Sequence, residues 1–148
     1  ENLSYCWDTD RCSLRYFWKG KLIPGSHFTS NGKSLPKLSN PPFYTFTSSP
    51  FGELAKDRDF IGYDIDDLGM PEFSYRLGNY QIRERLEFIE DEIIWTYKIQ
   101  GSKGLRYNLP KIENFDIIST HGQRDGDQLI LSVEDLKVFS IHIKEVTK

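Results

Sequence analysis

The chain has 148 residues, with 19 Lys+Arg against 22 Asp+Glu for a formal net charge of −3, and a chain of this length hides roughly two-thirds of its unfolded surface in a single core without staples. The charges are spread without a basic stripe, which argues against a nucleic-acid partner, and no apolar run approaches the ~20 residues of a membrane-spanning helix, so no membrane insertion is expected. Ten Phe, eight Tyr and three Trp against one Met, recurring at alternate positions, are strand composition. Glu1 is not an initiator residue, so residues 1–148 are expected to be a single domain cut from a larger protein.

The first predicted element is a hairpin joining Leu3–Trp7 to Ser13–Lys19. Leu14, Tyr16 and Trp18 alternate with Arg15, Phe17 and Lys19 as in a half-buried strand, and Asp8-Thr9-Asp10-Arg11 fits a tight turn. Cys12 then falls where glycine is preferred for its positive φ. A disulfide between Cys6 and Cys12 would hold that geometry in an oxidising compartment; the alternative is two buried thiols. The register that best matches apolar faces sets Trp7 opposite Cys12 and Cys6 opposite Ser13, so bond and match compete. The spacing lacks a second Cys pair or His at ligand distance, so neither a metal nor a haem, and no other cofactor, is expected in this domain.

From about 21 to 59 the chain is rich in Pro, Ser, Gly and Asn, which predicts one long irregular excursion. Pro41-Pro42 excludes a central strand there. Phe43, Tyr44, Phe46 and Phe51 either fasten this excursion to the core or line a binding surface.

Strand alternation resumes at Phe73, Tyr75 and Leu77. A hairpin follows, with Tyr80, Ile82, Leu86 and Phe88 on one arm, Ile93, Trp95, Tyr97 and Ile99 on the other, and Glu90-Asp91-Glu92 as its turn. Asp125-Gly126 leads into Leu129–Val133, and Leu136–Val146 is the last predicted strand. No segment reads as a helix. The fold class expected is all-β: an antiparallel β-sandwich, jelly-roll or supersandwich-like, with one long irregular excursion.

Asp64, Asp66 and Asp67 lack the loop spacing of a calcium site and read as turn carboxylates, with Gly69 at positive φ and Pro71 restarting an extended strand. No nucleophile elbow, phosphate loop or zinc-protease helix is present. His27 and His121 fall in loops and His142 in a strand. A loop His beside a carboxylate would be the acid and base of a mutarotase-like enzyme, the alternative to a non-catalytic or purely structural domain.

Two stretches carry a family likeness. Tyr5, Asp8, Leu14, Tyr16, Trp18 and Gly20 in the first hairpin, and Phe60, Gly62, Tyr63, Ile65, Asp66, Gly69, Pro71, Phe73 and Tyr75 in "FIGYDIDDLGMPEFSYRL", together resemble a β-rich domain that accompanies c-type cytochrome and sugar-dehydrogenase-like modules in large exported haem-binding proteins. The resemblance implies a periplasmic or cell-surface location, a role in handling sugars, and cytochrome or dehydrogenase domains of the same protein as partners.

The function expected is therefore a non-catalytic carbohydrate-binding or interdomain-docking module. Sugars present apolar C–H faces and dense hydroxyls, so their sites want flat aromatic platforms beside carboxylates and amides. Trp7, Asp8 and Asp10 at the hairpin tip, with His27, Asn31, Phe43 and Tyr44 from the excursion folded over them, are the candidate ligand-binding residues. The competing account makes Trp7 a core residue.

Overall fold

Alternating apolar and polar side chains dictate strands throughout, and the computed structural model, which describes residues 3–20 and 38–147, contains no α-helix among them. The strands run in chain order as β1 (Leu3–Asp8), β2 (Ser13–Lys19), β3 (Tyr44–Thr45), β4 (Arg58–Ile65), β5 (Pro71–Leu77), β6 (Tyr80–Ile89), β7 (Glu92–Gln100), β8 (Leu105–Asn108), β9 (Phe115–Ser119), β10 (Gln123–Asp125), β11 (Gln128–Leu131) and β12 (Phe139–Glu145). They form a six-stranded sheet in the order β4-β5-β6-β7-β12-β9 and two three-stranded sheets, β1-β2-β3 and β10-β11-β8. All pairings are antiparallel. The fold is all-β and consistent with a β-sandwich, as expected.

Aromatic contacts join the layers. Trp7 of β1 stacks on Phe73 of β5 at 4.2 Å, Phe46 meets Trp95 of β7 edge-on, and Tyr107 of β8 meets Tyr97 of β7. Between them lie Leu77, Ile82, Leu86, Ile93, Leu129, Phe139 and Ile141, all essentially without solvent exposure. Each such side chain removed from water contributes about 1.5–3 kcal/mol.

The hairpin corrects two expectations. Its register sets Cys6 opposite Tyr16 and Trp7 opposite Leu14, with Arg15 as an extra residue between them. This bulge reverses the alternation of β2, so that Leu14 and Phe17 both reach the core. Cys6 and Cys12 are free thiols rather than the expected disulfide. Cys6 shares its pair position with Tyr16, on the face away from Tyr5 and Trp7, whereas Cys12 lies in the core. The two side chains leave the hairpin on opposite faces. Cys12 does take the positive φ expected there, 49°, and its Sγ donates to the Thr9 carbonyl instead.

The described part of the excursion has structure of its own. Tyr44 and Thr45 pair with β2, Gly52–Lys56 form a 3-10 turn, and β4 has begun by Arg58. The last strand starts later than predicted because Ser132 and Asp135 cap each other, Asp135 N donating to Ser132 Oγ and Ser132 N to Asp135 Oδ2. That closes Asp135–Lys137 into a 3-10 turn containing Leu136.

Candidate functional site

The hairpin tip divides the expected ligand residues. Trp7 lies flat on Phe73, with Phe60 and Tyr75 tilted against it. Asp8 Oδ1 accepts from the amides of Asp10 and Arg11, and its Oδ2 lies 3.6 Å from Arg15. Asp10 is exposed, and its carbonyl accepts from Arg58 Nε. Phe43 stacks between Phe17 and Phe115, and Tyr44 meets Phe46 edge-on. Trp7 and the pair Phe43/Tyr44 thus contact different aromatic neighbours. The register explains this: Trp7 sits at the turn end of the hairpin, while β3 pairs at Tyr16 and Phe17, further along β2. His27 and Asn31 lie outside the described residues.

Beneath Trp7, alternation along β6 sends Glu84 inward between Ile82 and Leu86, where it is 1% exposed. Tyr75 OH donates to Oε2 at 2.6 Å, and Trp95 Nε1 donates to Oε1 at 2.6 Å. The Tyr97 hydroxyl lies 3.4 Å from Oε1 and shares a 3.0 Å hydrogen bond with Tyr107 OH. The Trp7 indole N–H also lowers the carboxyl pKa, although it falls short of hydrogen-bond geometry and is a buried donor without a partner. Burial outweighs these donors and pushes Glu84 up to about 7, because a carboxylate removed from water with only neutral donors around it is poorly stabilised. In turn burial, then the nearby Glu84 charge, raises Tyr5 to about 12 and Tyr75 and Tyr97 well above the usual phenol value. Glu84 ties β5, β6 and β7 together within the large sheet and, being buried, is closed to a substrate.

The opposite face of the same strands is open. There β4–β7 and Lys137 enclose a cleft of about 720 Å³. Cross-strand pairing builds its floor in rows, with Ser74, Arg83 and Lys98 side by side and Gln81 directly opposite Gln100. An irregularity between Phe60 and Gly62 raises the β4 wall, which Ile61 and Asp64 line. Glu72 lies 3.6 Å from Arg83 and 4.0 Å from Lys98, and Lys137 is held by Glu134 at 2.9 Å. These carboxylates offset the cations, leaving side-chain amides and a hydroxyl that can donate to or accept from a polar ligand and a guanidinium that can donate to it.

No family model, curated protein or solved structure matches this chain. The candidate site therefore rests on its own chemistry. Among the described residues, no group of three His, Cys, Asp or Glu side chains is placed to hold a metal. His142 pairs with Glu92 at 2.6 Å, and His121 with the Thr120 hydroxyl at 2.8 Å; neither lines the cleft. Asp66 is a turn residue as expected, accepting from Leu68 N and Met70 N, with Gly69 at φ 79°. The polar floor was absent from the expected ligand residues. Its signal was the polar half of the β5–β7 alternation, which in any half-buried strand reads simply as the solvated face.

Proposed function

We propose that this chain is a non-catalytic binding module whose ligand is a carbohydrate taken into the β4–β7 cleft. The observation that carries this reading is the floor formed by Ser74, Gln81, Arg83, Lys98 and Gln100, with Ile61 as an apolar contact in its wall. Hydroxyl-rich ligands are bound by arrays of amides and hydroxyls, which both donate and accept, beside guanidinium groups, which donate. Near-balanced charge favours a neutral ligand over an anion. The exported, cytochrome-linked setting belongs to the same proposal, and its support is the likeness of the two motifs alone.

The test is a glycan-array screen of the whole chain followed by calorimetry with the best saccharide. Gln81→Ala and Gln100→Ala should each weaken binding by about fivefold to tenfold, the loss expected for one or two ligand hydrogen bonds of ~1 kcal/mol each. Their melting temperatures should stay unchanged. Failure to retain any saccharide, or retention that neither substitution weakens, would refute the reading.

A further inference from the structure

Strand β4 ends the large sheet, and among the described residues no strand pairs with its outer side. It also carries a run of exposed apolar side chains. Ile61, Tyr63, Ile65 and Leu68 are 59%, 60%, 60% and 84% exposed, on one edge strand and the turn that follows it. Soluble proteins blunt such edges with Lys, Pro or a bulge, since the unpaired N–H and C=O groups template further pairing. Here the irregularity between Phe60 and Gly62 protects the first half only. From Gly62 to Ile65 the pairing with β5 is regular, and this half carries neither Lys nor Pro.

The carboxylates along this edge outnumber its one cation among the described residues, Arg58. Asp59, Asp64 and Asp67 have no ion-pair partner among the described residues, whereas Asp57 and Asp66 are paired with Arg76 and Arg85. The cation of β4, Arg58, has its guanidinium directed to the carbonyls of Asp10 and Ala55. A second copy of this chain would bring the same unpaired carboxylates together. A basic strand would neutralise them.

We propose that the Gly62–Ile65 edge is a docking site for an extended polypeptide segment in which basic and apolar residues alternate, added to the large sheet as a further strand. Backbone hydrogen bonds supply affinity in this mode and alternate side chains supply selectivity. Apolar residues of the incoming strand lie beside Tyr63 and Ile65, and its Lys or Arg residues beside Asp64, on the other face. The site adjoins the saccharide cleft, whose wall includes Ile61 and Asp64, but its apolar contacts Tyr63, Ile65 and Leu68 lie outside the cleft lining, so the Tyr63→Lys test is separate from the saccharide reading.

The probe is a synthetic peptide alternating Lys with Val and Ile, titrated into the whole chain beside a control with Glu in place of Lys. The basic peptide should bind, weaken as salt rises, and slow amide exchange within Gly62–Ile65. Tyr63→Lys should weaken it by about tenfold or more, since an exposed Tyr is a common anchor of such contacts. Asp64→Lys should switch the preference to the Glu peptide. Both residues are exposed, so both variants should keep the parent melting temperature. Equal binding of the two peptides, no binding, protection confined to β5–β7, or a concentration-dependent dimer lost in Tyr63→Lys would each overturn the proposal.

Discussion

Glu84 and Arg85 are neighbours on β6, yet they belong to opposite electrostatic regimes. Inward, Glu84 meets only neutral donors and its carboxyl rises to about 7. Outward, Arg85 holds Asp66 at 2.6 Å, and Asp66 is lowered, first by the Met70 amide and also by Arg85. The same residue class on one sheet thus titrates in opposite directions. Hydrogen bonds alone do not keep a carboxylate ionised; water or a cation must replace what burial removes.

Removing the inner carboxyl should have the largest effect. Glu84→Ala leaves Tyr75 OH and Trp95 Nε1 as buried donors without an acceptor, at ~1–3 kcal/mol each, so a loss of about 3–5 kcal/mol is expected in urea denaturation. Glu84→Gln keeps an acceptor and should lose much less. A neutral result for Glu84→Ala would mean that the inner network contributes nothing.

The second way to break the comparison is pH. Because the folded pKa of Glu84, about 7, lies above the reference value of 4.5, the native state binds the extra proton between those values. Stability should therefore be fullest near the lower value and fall by on the order of 3 kcal/mol as pH rises through about 7. Asp66 acts in the other sense: its folded pKa is lowered from 3.8, so its contribution is present above that value and is lost as pH falls through the folded one. Unfolding free energies from pH 3 to 9 should show a maximum between the two windows, and Glu84→Gln should abolish the decline toward neutral pH.

Trp7 tests the boundary between the regions. Its stack on Phe73 makes Trp7→Ala costly, by about 2–3 kcal/mol, somewhat below the 3–5 of a fully enclosed aromatic because Trp7 is half-buried. An unchanged melting temperature would return it to the role of exposed platform. The smallest effect belongs to the outer face, where the double variant Gln81→Ala/Gln100→Ala should stay within about 0.5 kcal/mol of the parent stability. A larger loss there would show that the cleft floor is needed for folding.

Strand class, the Glu90-Asp91 and Asp125-Gly126 turns, the positive φ of Cys12 and Gly69, and the restart at Pro71 were all legible in the sequence, because each depends on alternation or on the conformational preference of one or two residues. The hairpin register was not, since the extra residue Arg15 is a choice between nearly equal pairings that only the core decides. With that register went the disulfide. Glu84 shows the same limit from the other side: within "QIRERLEF" it looks like one more charge on a solvated face. Only the pleat of β6 against β1, β5 and β7 surrounds it with Trp7, Tyr75 and Trp95 and makes burial, rather than composition, set its charge.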